Sequence, residues 1–324
     1  MAFLRPLLLA ATLIPMSLVA CGGDDDDSQP TPVGTHYHYV VNKVNVPTST
    51  ALATEYGLDI EGTGAKNDNA LGMVLSLLAS PSLGNFDIQG TIDTAVASGS
   101  IILLADVQTS DATFTSDGAT GISVKLGENP MPAACNGSAD TTCGHHLTPT
   151  GGSFDVKAGN DDLALGGKIV GGTFNGGPGN LSIQIALSGT NPIQLDLIGA
   201  RVKASSMTSD NLGSVIIGGA ISQDDINTKV IPTVVTELAP TITRDCTMPT
   251  VPPGCGCVSG STGATILSIF DKNPVDCAVS MDEVVNNGIV SSSLAPDVTV
   301  NGVKALSLGI KVTAEKATFT VAGE

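Results

Sequence analysis

Apolar residues alternate with polar or small residues along much of the second half of the chain. In segment 181–187, LSIQIAL, every second residue is Leu or Ile, and segment 193–197, IQLDL, repeats the pattern. This alternation is typical of a strand with one buried face, and the Gly, Asn and Pro residues between such segments are typical of tight turns. The chain is therefore predicted to be α+β and predominantly antiparallel β, as a curved meander, a sandwich or a barrel-like sheet, with several short helices.

Further strands are predicted before and after this region. They cover segments 35–47, 100–109, 121–128, 305–314 and 316–323, in which Val, Ile, Leu and Thr are frequent. Strands and helices do not alternate regularly along the chain, so a parallel sheet is not expected.

Two helices are predicted in the first third of the chain. Segment 69–80, NALGMVLSLLAS, would be capped by Asp68 or Asn69 and stopped by the proline that follows it. A second short helix is predicted after Phe86, with Asp87 as its N-cap.

Capping motifs predict two later helices. Ser222 and Asp225 resemble a capping box, although Asp stands where Glu or Gln is usual. Pro232 is expected to kink or divide the helix that follows. Ser280 and Glu283 match the capping box better and predict another short helix.

The N-terminal segment has the character of an export signal. Arg5 is the single charged residue before Cys21, and residues 7–20 are nearly all apolar. Fourteen residues are too few to span a bilayer, which takes about 20, but they suit the apolar region of a secretory signal peptide. Residues 1–20 are therefore predicted to be a signal peptide, with Ala20 at the cleavage site.

The segment Leu18–Cys21, LVAC, resembles the lipobox of bacterial lipoproteins. The resemblance implies that the Cys21 sulfur receives a diacylglycerol, that a type II signal peptidase cuts before it, and that the new amino terminus is acylated. It also implies retention at the outer membrane, because Gly22 stands where an Asp would favour the inner membrane. The expected location is the outer membrane, with the body facing the periplasm or the cell exterior.

Residues 21–34 are predicted to be an acidic tether that contains Gly and Pro. Asp24–Asp27 carry like charges that extend the chain, and the segment has almost nothing to bury. A calcium cluster is the alternative for these aspartates, although a solvated charge run is the commoner outcome. The predicted globular body covers residues 35–324, and a division into two lobes near residues 150–165 is left open.

Charge and composition limit the partners. The formal net charge is −17, which argues against nucleic acid as a partner because nucleic-acid-binding proteins normally carry a basic patch. The chain has no Trp, 3 Tyr and 7 Phe, so a flat aromatic binding platform is not expected and the core should be aliphatic. The remaining partners are the membrane, through Cys21, and an unidentified protein or small apolar ligand.

Six cysteines besides Cys21 are predicted to form disulfides, since an even number in an exported chain favours them. Cys135 and Cys143 can close a small loop. The two cysteines of the CGC segment, Cys255 and Cys257, are poorly placed to join each other. Each is expected to form a disulfide with one of the other two cysteines, Cys246 and Cys277, in either order. A zinc site of four thiolates is the alternative, but paired C-x₂-C spacing is lacking.

One loop resembles the aspartate-rich calcium loops. Asp59, Glu61, Thr63 and Asp68 occupy roughly the ligand positions of such a loop. Thr63 replaces a carboxylate, Lys66 adds a positive charge, and the spacing to Asp68 is one residue long. A plain turn that caps the following helix is the competing interpretation. No cofactor is predicted for the chain, with calcium at this loop as the alternative.

The histidines are the other candidates for metal ligands. His36 and His38 would share a strand face, as the ligands of an H-x-H metal site do, but the sequence indicates no third ligand. An ordinary strand near the tether is the commoner outcome. His145 and His146 follow Cys143 in a CGHH segment that lacks the spacing of haem attachment, so a surface loop is expected.

No catalytic signature is found in the sequence, which has no G-x-S-x-G, no H-E-x-x-H and no phosphate-binding loop. Segments such as 39–50 and 255–274 resemble uncharacterised cell-surface lipoproteins of myxobacterial type, a family that implies export and no particular activity. The leading hypothesis is a lipid-anchored, non-enzymatic structural or binding module. A periplasm-facing carrier of an apolar ligand is second, and a hydrolase with an unrecognised site is third.

Overall fold

Strands dominate the structure. The computed structural model describes residues 29–64, 68–79, 87–148, 151–159, 163–186, 192–246 and 255–320. Within these residues the strands are β1 (Thr35–Asn45), β2 (Leu103–Thr109), β3 (Ser116–Met131), β4 (Gly152–Val156), β5 (Leu165–Val170), β6 (Thr173–Ile185), β7 (Ile193–Met207), β8 (Asn211–Ser222), β9 (Val298–Val300) and β10 (Val303–Thr318).

Eight of these strands form a closed antiparallel barrel. Around the circuit the order is β1, β2, β3, β5, β6, β7, β8 and β10, and β10 pairs with β1 to close it. The other two described strands lie outside the circuit. β4 pairs antiparallel with the end of β3 and parallel with β10, and β9 pairs antiparallel with the start of β10. The predicted α+β, mainly antiparallel fold is confirmed, and of the three predicted arrangements the barrel is the one adopted.

The two-residue alternation places one face of each strand inside the barrel. Across β6 and β7, Leu181 pairs with Leu197 and Ile183 pairs with Leu195, and all four side chains are buried. Directly opposed residues of an antiparallel pair project from the same face, so these pairs stack as layers of the core. Burying every second residue in this way is what the alternating sequence predicts.

One expectation about strands is corrected. The two closing strands predicted at 305–314 and 316–323 are one strand, β10, because a register shift between Val312 and Ala314 lets the pairing with β8 continue to Glu315. The strands on either side of segment 150–165 that belong to the barrel, β3 and β5, pair directly with each other.

The described helices are α1 (Thr50–Tyr56), α2 (Ala70–Leu78), α3 (Ile88–Ala97), α4 (Gln223–Asp225), α5 (Ile231–Asp245), α6 (Thr262–Phe270), α7 (Met281–Asn286) and α8 (Gly288–Ser293). A π-helical turn, Ile226–Val230, separates α4 from α5. In the described part of the chain, no helix is long and apolar enough to cross a membrane.

The predicted caps are largely confirmed. The Asp87 carboxylate accepts a hydrogen bond from the Gly90 N–H at 2.9 Å, and Ser280 and Glu283 form a reciprocal capping box. Pro232 lies in the first turn of α5, where its missing N–H is tolerated, so it divides the helical segment. Sequence patterns did not predict α1 and α8, which have seven and six residues.

Candidate functional site

The barrel interior is filled with aliphatic side chains. The void at its centre has a volume of about 10 Å³, which is about the space that one water molecule occupies. Ligand pockets usually measure about 300–1,000 Å³. This void is therefore too small for an internal ligand. The lining residues are Val41, Ala105, Ile122, Val124, Val202, Leu212, Val215, Ile217, Val312 and Ala314.

A larger depression lies on the surface, where β3 ends beside β4. Its volume is about 450 Å³, and it is open to solvent. The Asn129 amide donates a hydrogen bond to Asp155 at 2.9 Å across it, while the Phe154 ring is buried beneath. Its other lining residues are Pro130, Met131 and Ser153. The described lining includes a hydroxyl, that of Ser153, and a carboxylate, that of Asp155, but no His, Cys or Lys.

The predicted calcium loop is a turn stabilised by its own backbone. The Asp59 carboxylate accepts hydrogen bonds from the N–H groups of Thr63, at 3.0 Å, and Gly64, at 2.5 Å. Burial by itself would raise the pKa of Asp59, but these backbone donors outweigh it and hold the pKa below its usual value. Both carboxylate oxygens are thus engaged in closing the turn.

The other carboxylates of this loop point to separate backbone donors. Glu61 accepts a hydrogen bond from the Thr299 N–H at 2.8 Å, and Asp68 accepts one from the Ile60 N–H at 3.0 Å. Among the described residues, the carboxylates of Asp59, Glu61 and Asp68 do not form a group close enough to share a metal ion. The geometry favours the turn interpretation, and Asn69, rather than Asp68, caps α2.

The six body cysteines are joined as Cys135–Cys143, Cys246–Cys257 and Cys255–Cys277. The small loop is closed as expected, and the order left open for the other four is now assigned. A four-thiolate zinc site is thereby replaced by covalent bonds. The two C-terminal disulfides lie in a small apolar cluster between α5 and α6, where Leu238, Ile242, Ile266 and Leu267 are buried.

The small disulfide loop is organised by one carboxylate. Asp140 accepts hydrogen bonds from the Asn136 and Thr142 N–H groups and lies 2.9 Å from the His145 ring. The residue after His145, His146, is 1% exposed, and neither of its ring nitrogens has a hydrogen-bond partner among the described residues. Burial, together with the neighbouring His145, lowers the pKa of His146 below 6.5.

Asp106 supplies a third potential metal ligand beside the two histidines of the H-x-H segment. His36 and His38 lie on the outer face of β1, and His38 pairs directly with Asp106 of β2. The Nδ1 atom of His36 lies 3.0 Å from both carboxylate oxygens of Asp106, and the Nε2 atom of His38 lies 3.6 Å from Oδ1. The three ligand atoms all lie within 4.8 Å of one another. Two imidazoles and a carboxylate thus converge on one point outside the barrel.

The neighbouring strands frame this cluster. Ser123 of β3 pairs directly with Asp106 on the side away from His38, and the Phe319 ring stacks on His38 with 4.3 Å between centroids. Lys125 lies two residues after Ser123 in β3, on the same face of the strand, and pairs with Leu104 of β2. The Ser123 hydroxyl is buried and has no hydrogen-bond partner within the described structure.

Sequence reasoning identified the two histidines but missed Asp106. Asp106 lies 70 residues from His36 in the chain, in a buried apolar strand with no motif around it. The one available signal was its charge at an otherwise apolar position, since an aspartate in a buried strand needs a partner.

A second group of potential ligands carries no site. Cys255, Asp271 and Cys277 lie within the same distance limit, but both sulfurs are in the Cys255–Cys277 disulfide. The Asp271 carboxylate accepts hydrogen bonds from the N–H groups of Asp276 and Cys277 at 2.9 Å.

The chain matches no protein-family model, no curated protein and no solved structure at a significant level. Cys21, the signal segment and most of the tether lie outside the described residues. The lipoprotein resemblance therefore stays a prediction that rests on residues 1–22.

Proposed function

We propose that this chain is a lipoprotein held at the outer membrane by an acylated Cys21, and that its barrel is a non-enzymatic structural or binding module. One observation carries the proposal: six of the seven cysteines pair with one another, and the odd one is the lipobox cysteine. Disulfides persist in oxidising compartments, which supports export.

Acyl chains suit the charge of this protein. With a net charge of −17, the chain has little attraction for anionic headgroups, so the anchor must supply the affinity. A buried methylene contributes about 0.8 kcal/mol and one chain gives only reversible binding, so stable anchoring takes more than one chain. The acidic tether then separates the barrel from the bilayer.

The filled barrel favours a structural or surface-binding role over the carrier alternative. A periplasm-facing carrier of an apolar ligand needs an apolar cavity that solvent can reach. In the described residues the interior void is only about 10 Å³, so a ligand would have to displace core side chains. Binding to this body is expected on its outer wall or loops.

The hydrolase alternative needs a histidine between a nucleophile and a carboxylate. The outer wall places Asp106 in the middle, with His38 on one side and Ser123 on the other. Ser123 is also 3% exposed, which leaves its hydroxyl out of reach of a substrate. This order of groups does not support acyl transfer.

The anchoring is tested in cells that process lipoproteins. The wild-type chain is expected in the membrane fraction, with mass spectrometry showing an acylated Cys21 and no residues 1–20. Cys21→Ser should be unprocessed and lack acyl chains. A Cys135→Ser/Cys143→Ser double variant is the matched control, because it also removes thiols but should remain acylated. An intact leader or an unmodified Cys21 thiol in the wild-type protein would refute the proposal.

The orientation is tested by adding protease to intact cells. Release of the body indicates that it faces the exterior, whereas protection until the outer membrane is opened indicates the periplasm. Both outcomes require the wild-type protein to be found in the outer-membrane fraction. Recovery in the inner membrane would contradict the predicted role of Gly22.

A further inference from the structure

The cluster on the outer wall of β1 and β2 has the dimensions of a metal site. Zinc bonds of about 2.0–2.2 Å in a tetrahedron place neighbouring ligand atoms roughly 3.3 Å apart. The two histidine–carboxylate separations are 3.0 and 3.6 Å, one slightly below and one slightly above that value. These two separations are therefore close to that of a tetrahedral zinc site, and the three ligand atoms all lie within 4.8 Å of one another.

The strands hold these ligands in place. His38 and Asp106 are directly paired in the β1–β2 ladder, and His36 lies two residues along the same face. The His38 ring is also fixed by stacking on Phe319. The Asp106 side chain is 5% exposed and the His36 side chain 29% exposed, so one side of the cluster is buried and the other reaches solvent. A site of this form can bind an ion and keep a position for water.

An unsatisfied hydroxyl lies next to the proposed ligands. Ser123 pairs directly with Asp106 and leaves the same face, and its buried hydroxyl has no partner within the described structure. Buried hydroxyls are normally hydrogen-bonded. A carboxylate that binds metal, or the water completing the coordination, commonly takes such a neighbour as a hydrogen-bond partner.

We propose that His36 Nδ1, His38 Nε2 and an Asp106 carboxylate oxygen bind a zinc ion, or a similar late first-row divalent ion, on the outer wall of the barrel. Two imidazole nitrogens favour such ions over calcium and magnesium, which prefer all-oxygen sites. Three protein ligands leave the fourth position to water or to a donor group from a partner.

Lys125 is the group on this face that opposes a cation. It lies two residues after Ser123, on the same face of β3, and is 7% exposed. Its positive charge raises the cost of placing a second cation near Asp106. The Lys125→Met variant is therefore expected to bind zinc more tightly than the wild-type chain.

The test is calorimetric titration of the full chain with zinc chloride at about pH 7.5. The protein carries no added histidine tag. One zinc ion per chain is expected, and calcium chloride should not compete. Removing a group that only hydrogen-bonds to a ligand weakens binding by about 10–100-fold, so His36→Gln or His38→Gln should weaken it by more than that.

His145→Gln is the matched control. His145 also lies 2.9 Å from a carboxylate, that of Asp140, but in the described part of the chain no second histidine ligand joins that pair. This variant should bind zinc as the wild-type chain does. His36→Gln is at a partly exposed position and should fold, which its melting curve checks. Unchanged zinc binding in both His36→Gln and His38→Gln would overturn the proposal. So would the absence of binding up to about 1 mM zinc, or loss of binding only when Asp24–Asp27 are replaced by Asn.

Discussion

Replacing Asn69 with alanine is expected to destabilise the protein more than most single substitutions. The Asn69 side chain is buried and makes four hydrogen bonds. Its amide donates to the carbonyl oxygens of Ala53 and Gly309, both at 3.0 Å. Its oxygen accepts from the N–H groups of Gly72, at 3.0 Å, and Gly309, at 2.8 Å. One side chain thus links α1, α2 and β10.

The bonds to Gly309 replace a missing strand. The pairing of β1 with β10 ends at Lys311, so on that side Gly309 has no backbone partner from β1. The Asn69 side-chain amide hydrogen-bonds to both the N–H and the carbonyl oxygen of Gly309. A side chain at Gly309 is excluded as well, because a Cβ there would overlap the Tyr56 carbonyl oxygen. Asn69 is therefore a buried part of the barrel wall as well as a helix cap.

The magnitude follows from these four bonds. Loss of the N-cap costs about 1 kcal/mol, and each of the other three buried bonds contributes about 1 kcal/mol. The Asn69→Ala substitution should thus lower the free energy of unfolding by about 4 kcal/mol. For a domain of roughly 290 residues this corresponds to a fall of about 7 °C in melting temperature.

The assay is urea denaturation with the disulfides intact, followed by circular dichroism. Asn286→Ala is the control, because Asn286 is an exposed residue of α7 with one side-chain bond, to the Asp282 carbonyl oxygen. It should change the free energy by less than about 0.5 kcal/mol. A loss below about 1.5 kcal/mol for Asn69→Ala would refute the reasoning, because the helix cap alone would account for it.

Three further outcomes are expected. The pKa of buried His146 lies below 6.5 in the folded state, so the free energy of unfolding that this residue contributes is present above about pH 6.5 and is lost as the pH falls. The urea midpoint of His146→Phe should therefore change less between about pH 7 and pH 5 than that of the wild-type chain. An equal change in both proteins would contradict this expectation. Burial would raise the pKa of Asp117, but hydrogen bonds from neighbouring hydroxyl and backbone groups lower it well below 3.8, so its stabilisation is present above about pH 3.8 and lost on acidification. Asp117→Asn should therefore unfold about 1–2 kcal/mol more easily at neutral pH, with a smaller acid dependence, and unchanged neutral-pH stability would count against it. The Cys255→Ala/Cys277→Ala double variant opens a disulfide with a sequence separation of 22 and should lose about 3 kcal/mol in thermal denaturation, whereas a loss below about 1 kcal/mol would show that the disulfide constrains the chain little.

Local patterns in the sequence predicted most elements, because each depends on neighbouring residues alone. The alternation in segments 181–187 and 193–197 reflects the two-residue repeat of a strand, and Asp87 caps α3 through an N–H three residues away. The CGC segment limited the cysteine pairing, since Cys255 and Cys257 are too close to join comfortably. The α+β, mainly antiparallel class followed from these local signals.

The metal cluster and the closure of the barrel depend on the tertiary structure. His36 and His38 were recognisable from their spacing, but Asp106 joins them only through the register of β1 on β2. In the same way, the Asp59 loop has nearly the spacing of a calcium site, yet its oxygens bond to the turn's own backbone.

Interactions over a few residues decide the type of most elements and the face that each strand buries, so the sequence alone predicted both. Only the tertiary structure shows that β10 pairs with β1, that β3 pairs with β5 as well as with β4, and that Asn69 hydrogen-bonds to Gly309 in the barrel wall. These contacts join residues as many as 277 positions apart, as in the pairing of Tyr39 with Lys316. Strands that bury similar aliphatic faces can pair in many orders and registers. Only the packing of the complete core selects one of these arrangements.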